Sequence, residues 1–330
     1  MIKLNGSDGF IIYQKPNTSK RFIGVGNWDV TNKLDYNSLK FIFSTFDGKT
    51  YHLDANLNEL KEEVNISQIP EKKINPTKDE EYLKQAQNII QKCINGELDK
   101  CILSRVKNTS FEIRNPYKLF NKICDTYQHG FKYLLNHPKY GLWVGISPET
   151  LICGDLKSGF HTHALAGSIS ANSKQKWTKK ENEEHQYVVD HIKNLIDKYG
   201  SLISESSTEE VTAGNVKHLN KDFIFKINEG ILPFIRALHP TPAIAGTPTK
   251  KAINFINKHE IHDRNLYCGY LGLISNEKAE IYVNLRCAEL NHSVVNLYVG
   301  GGITAKSNVQ DEFKETEIKA ETLLSVIKKL

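Results

Sequence analysis

Three side chains and three glycines near the C-terminus form a group able to do chemistry together. Arg286 offers a planar fork for a carboxylate, and Gly300, Gly301 and Gly302 let backbone N–H groups approach an anion closely. Glu312 and Glu315 stand three apart on what reads as a helix, so they share a face that could hold a divalent cation. Cation and anion sites so near each other point to a carboxylate ligand bridged by a metal. Upstream, Lys100 falls inside an apolar strand. It is either an edge lysine in water or, desolvated, an amine able to act as a base. Glu149 follows a strand end in a Pro-containing turn, where a solvated glutamate is the plainer reading. Glu184 leads an apolar helical stripe and is a better ligand candidate than its neighbours Glu181 and Glu183. His161 and His163 share a strand face as zinc ligands would, but no third ligand lies at suitable spacing, so a metal is not expected there.

The elements that must position these groups can be read from periodicity and turn chemistry. Residues 1–76 alternate short apolar runs with Gly, Asn and Asp turns, a strand-rich lead-in closed by Pro70 and Pro76. Thr77-Lys-Asp-Glu80 has the pattern of a capping box, opening a helix that stops at Gly96. A strand carrying Lys100 follows, then a helix opened by Asn115 and Pro116. Hairpin-like strands fill 131–165, turning at 157–159. A long helix runs from about Trp177 to Tyr199 with Val188, Val189, Ile192, Leu195 and Ile196 inward. Val216–Leu219 reads as strand, 228–238 as helix, and Thr247 with Pro248 as the start of a helix to His259. Strands around a turn at 275–277 place Tyr267 and Arg286 near one end. Arg286 is expected within a strand and Gly300–Gly302 as a turn before the last helix. The fold class expected is α+β, with large, mostly antiparallel sheets and helices packed outside. The chain reads as one domain over 1–330, with residues 77–328 carrying the motifs.

Composition narrows the function classes. The 330 residues carry a net charge of only +5 with acidic and basic residues interleaved, which gives no basis for nucleic-acid binding. A mean hydropathy of −0.43 and the lack of a long apolar run argue against a membrane protein, and the N-terminus has no signal-peptide pattern. Six scattered cysteines without a Cys-x-x-Cys pair read as reduced thiols, so a cytoplasmic location is expected.

In order along the chain stand Lys100-Cys-Ile-Leu-Ser-Arg105, Ser147-Pro-Glu-Thr-Leu151, Ala164-Leu-Ala-Gly-Ser168, Glu184-His185 and Val216-Lys-His-Leu219. Tyr267-Cys-Gly269, Leu285-Arg286, Gly300-Gly-Gly-Ile303 and Glu312-Phe-Lys-Glu-Thr316 complete the series. Together these motifs, across residues 77–328, resemble the chorismate-utilising enzymes: isochorismate, salicylate, anthranilate and aminodeoxychorismate synthases. The resemblance implies one Mg²⁺ held by Glu184 and Glu315, with Glu312 beside it through water, gripping the ring carboxylate of chorismate. It implies that Tyr267, Arg286 and the backbone at Gly302 hold the enolpyruvyl carboxylate. Leu165 and Ala243 would line the substrate site. His218 would bond near the ring or serve as a buried structural histidine.

Within the family, Lys100 matches the lysine that activates water in isochorismate and salicylate synthases, and Glu149 the acid that protonates the departing C4 hydroxyl. Ala166 stands where aminodeoxychorismate synthases carry lysine, and Ala243 where members that eliminate pyruvate tend to carry threonine. The tryptophan-binding motif of regulated anthranilate synthases is not found in residues 1–75. His163, Asn265 and Val309 depart from the common pattern. The expectation is a Mg²⁺-dependent isochorismate synthase acting on chorismate as a monomer, in menaquinone or siderophore biosynthesis. Salicylate synthase is the alternative, ahead of anthranilate synthase component I and a non-catalytic dicarboxylate-binding relative.

Overall fold

The structure is a computed structural model and describes residues 1–31, 37–69, 71, 74–170, 176–213 and 216–330. Among these, two large sheets dominate. The first has nine strands, in the order 246–247, 100–110, 294–304, 287–290, 141–147, 131–137, 10–14, 21–25 and 58–59. The second has ten, nine of them on its main path: 200–205, 216–227, 159–170, 150–155, 278–283, 270–274, 40–44, 50–54 and 27–30, with the tenth, 209–213, paired beside 216–227. Neighbours in both are antiparallel. The parallel pairing of 2–5 with 64–67 forms a separate two-stranded piece. Strands from residues 1–76 take places in both sheets. Tyr13 lies opposite Tyr133, and Ile42 opposite Gly272.

The sheets pack face to face through aromatic side chains. Tyr13 and Phe131 from the first meet Phe41 and Tyr282 from the second, with ring centroids 5.8 Å apart for Tyr13–Phe41 and 4.6 Å for Phe131–Tyr282. Strand 131–137 is buried at every position, as expected where both faces of a sheet are covered. Strand 159–170 alternates instead: Phe160, Thr162 and Ala164 are buried, while His161 and His163 are half-buried.

Six helices among the described residues cover the outer faces: α1 (Asp79–Ile94), α2 (Pro116–Thr126), α3 (Lys179–Tyr199), α4 (Ile231–Leu238), α5 (Thr249–His259) and α6 (Val309–Ile327). Side-chain oxygens of Asn115 and Asn308 cap α2 and α6, accepting from Tyr117 N–H and from Gln310 and Asp311 N–H. The stripe of α3 is inward as expected, with Leu195 half-buried, and Gly96, at φ +74°, follows α1.

Several local expectations are corrected. Thr77 does not cap α1; its Oγ1 accepts from Val106 N–H, a tertiary bond that outweighs the local pattern, and Lys78 holds the cap position without a side-chain bond. Thr247 pairs with Lys100 in a short strand, and α5 starts at Thr249. Helix α4 begins at Ile231 rather than near residue 228. Arg286 lies in no strand but in the break between 278–283 and 287–290, at φ +46°. Gly300–Gly302 are not a turn: they run mid-strand, with Gly300 opposite Ser104 and Gly302 opposite Ile102. The Pro70 boundary lies outside the described residues. All six cysteines are free thiols, and no helix among the described residues is long and apolar enough to cross a membrane.

Candidate active site

A cavity of about 160 Å³ opens where strands 100–110 and 294–304 meet α3, α6 and the 239–246 turn. The eleven residues expected to serve catalysis, substrate or Mg²⁺ all line it: Lys100, Glu149, Leu165, Glu184, His218, Ala243, Tyr267, Arg286, Gly302, Glu312 and Glu315; His161 and His163 do not. Lys100 is the first residue of its strand, flanked by Thr247 and Thr304. That position buries it to 2% exposure, which rules out a lysine in water. Its Nζ lies 2.5 Å from Oε1 of Glu184, one turn ahead of Val188 on α3, whose side chain is 11% exposed. Glu181 instead caps α3, accepting from Thr178 N–H, and Glu183 is exposed.

Glycine at 301 and 302 makes room for these groups. A Cβ on Gly302 would sit 2.8 Å from Lys100 Cε and 2.9 Å from Glu184 Oε1. One on Gly301 would sit 3.6 Å from Glu312 Oε2 and 4.0 Å from Glu315 Oε1. A glycine inside a strand marks such a close approach. Three carboxylates thus converge over two side-chain-free residues. Glu315 Oε1 pairs with Lys319 Nζ at 2.6 Å, one helical turn on, and Lys319 also donates to Gly300 O at 2.8 Å. Glu312 Oε1 accepts from Ser307 Oγ. The carboxylates do not form the tightest ligand cluster. Among the described residues, the group of His, Cys, Asp or Glu whose candidate ligand atoms lie within 4.8 Å of one another is His161, His163 and Asp222.

Glu149 follows strand 141–147, its carbonyl accepting from Val283 N–H at 3.0 Å. Burial pushes its carboxyl up to about 7, against the opposing pull of Arg286, Lys100 and Lys319. It is therefore a much weaker acid than an exposed glutamate, able to hold a proton near neutral pH. Burial lowers His218, whose Nδ1 donates to Gly167 O at 2.9 Å, so the ring is a neutral, oriented group. Tyr267 is buried, its hydroxyl held well above the ordinary tyrosine range by burial. Arg286, half-buried, faces the same space.

Two features of the site were not singled out from the sequence. Lys319 lines the cavity four residues after Glu315, a helical spacing that carried the signal. Below the cavity a buried ion pair joins Glu260 and Arg264 at 2.6 Å. Glu260 accepts from Ser104 N–H, and Arg264 donates to the carbonyls of Ile102 and Ile244. This pair fixes the start of the Lys100 strand to the 239–246 turn, and with it Ala243.

Residues 31–328 match a protein family described as chorismate binding enzyme. Isochorismate synthase EntC of Escherichia coli (strain K12) is 29% identical over 245 residues, covering 70% of this chain and 62% of that protein. Isochorismate synthase MenF of Haemophilus influenzae is 27% identical over 250 residues, covering 70% of this chain and 56% of that protein. The chain thus spans less than two thirds of the length of these relatives. In fold it is similar to the solved structure of MenF, the menaquinone-specific isochorismate synthase of Escherichia coli, with a TM-score of 0.80 at 21% identity over 98% of this chain and 89% of that one.

Proposed function

The chain belongs to the chorismate binding enzyme family, and on that premise we propose that it is an isochorismate synthase, converting chorismate to isochorismate. The observation carrying this reading is that a buried amine, Lys100, and a carboxyl poised near neutrality, Glu149, line one cavity with Arg286. Lys100, as the free amine, takes a proton from a water whose oxygen bonds to ring C2. Both ring double bonds shift, the C4–O bond breaks, and Glu149 gives its proton to the departing hydroxyl, which leaves as water. Lysine ends protonated and glutamate ionised, and exchange with solvent resets both. Tyr267, Arg286 and the Gly302 backbone would hold the enolpyruvyl carboxylate, with His218, Leu165 and Ala243 shaping the ring site.

The donor set fits Mg²⁺: Glu184, Glu312 and Glu315 are all hard oxygen donors, gathered over the Gly301–Gly302 cradle. Glu184 and Glu315 would hold the ion, with Glu312 beside it through water. When bound, it would neutralise and fix the ring carboxylate of the substrate.

Incubating the protein with chorismate and Mg²⁺ and resolving the products tests the reading. Isochorismate as the product supports it. Salicylate with pyruvate would make the protein a salicylate synthase, anthranilate formed with ammonia would refute both, and binding without turnover would make it a non-catalytic relative. Ala243, where pyruvate-eliminating members tend to carry threonine, favours isochorismate as the end point.

A further inference from the structure

The imidazoles of His161 and His163 acquire a third partner that no sequence spacing reveals. Strand 216–227 pairs with strand 159–170 so that Asp222 stands directly opposite His163. Its Oδ1 lies 3.0 Å from Nε2 of His161, and the candidate ligand atoms of all three side chains fall within 4.8 Å of one another. We propose that His161, His163 and Asp222 form a second metal site, for a zinc-class divalent transition ion, separate from the carboxylate cavity. Two imidazoles and one carboxylate suit such an ion rather than Mg²⁺ or Ca²⁺, which take oxygen ligands.

The surroundings are those of a supported site. Asn220 Nδ2 donates to Asp222 Oδ2 at 3.2 Å, which leaves Oδ1 directed at His161. The far ring nitrogen of His161, Nδ1, lies 3.9 Å from Cys153 Sγ. With the metal on Nε2, the Nδ1–H has a sulfur acceptor that fixes ring and tautomer, as groups behind metal-bound histidines do. Ligand atoms around a tetrahedral zinc stand roughly 3.3 Å apart, so only small side-chain movements would close the group. The next residue along this sheet face is Leu165, in the cavity wall. A bound ion would tie strands 159–170 and 216–227 together one step from that wall.

Chelator-treated full-length protein, with excess Mg²⁺ present, should be titrated with Co²⁺ as a spectroscopic probe and with Zn²⁺ by calorimetry. One equivalent should bind with visible cobalt absorption and raise the melting temperature. Glu184→Gln and Glu315→Gln should leave that equivalent intact. His163→Ala and Asp222→Asn should each abolish it, with unchanged near-ultraviolet circular dichroism showing that the fold survives. Cys153→Ser should weaken it about 10-fold. Binding that persists in both His163→Ala and Asp222→Asn, binding lost in the Glu184 and Glu315 variants, or no binding at all overturns the proposal.

Discussion

Glu149 carries the sharpest residue-scale consequence, because its carboxyl is held near 7 by burial. In the proposed role of proton donor it must be protonated, so kcat/KM for isochorismate formation should fall as pH rises through about 7. Glu149→Gln should abolish turnover and leave Mg²⁺-dependent binding intact. The same group affects stability. A carboxyl raised in the folded state binds more protons there than when unfolded, so its contribution is full below the unfolded value of 4.5 and is lost as pH rises through about 7. Denaturant melts at pH 6 and pH 8 should therefore show a smaller loss in Glu149→Gln than in the parent. Lys100→Ala should reduce kcat by roughly 10²–10⁴, the range for loss of a general base, and unimpaired turnover would remove it from the mechanism. The identities of these residues were legible because each sits in a short motif whose order along the chain resembles a family. What could not be read was Asp222, which reaches His163 only through a pairing 59 residues long in sequence, fixed by strand register.

At the scale of elements, strand 294–304 sets the site by what it lacks. Gly302 and Gly300 differ in what an added methyl would meet: the flexible ends of Lys100 and Glu184 at 302, but the backbone carbonyl of Leu103, at 2.7 Å, at 300. Gly302→Ala should keep the fold and cut kcat/KM about 10²-fold by displacing the amine and its carboxylate. Gly300→Ala should instead cost about 1–3 kcal/mol of stability, read from a denaturant midpoint, because the strand ladder has to shift. Three consecutive glycines look like a turn to local reasoning; only the pairing with strand 100–110 shows them as a flat place in a sheet. Thr77 teaches the same lesson in reverse. Its capping pattern is locally sound, yet Val106 N–H claims the hydroxyl. The cap at Asn115 forms as its local pattern suggests because the distant bond it makes, to Val64 O, uses Nδ2 and leaves Oδ1 for Tyr117 N–H.

For the whole molecule, the two-sheet core depends on the first 54 residues, whose strands extend both sheets. Deleting residues 1–31 would bare the edge of strand 131–137, and the product should be recovered as aggregate by size exclusion. Three desolvated histidines make the fold sensitive to acid. Burial takes His137, His163 and His239 down to about 4, so the folded chain binds fewer protons than the unfolded one between pH 4 and 6.5. Their contribution is complete above 6.5 and lost as pH falls through 4, and denaturation at pH 7, 5.5 and 4.5 should show stability dropping in that order. The paired lysines and carboxylates of the cavity have a last consequence. Counted by formal charge before Lys100 is freed to act as a base, and with Glu149 protonated, Lys100, Lys319 and Arg286 match Glu184, Glu312 and Glu315 in number, so the resting site is electrically neutral by itself. A dianion or a dication entering alone would leave it two charges out of balance, while the pair restores zero. Each should then raise the other's affinity by the same factor, which calorimetry on Glu149→Gln with Mg²⁺, chorismate and both would measure as a closed thermodynamic cycle.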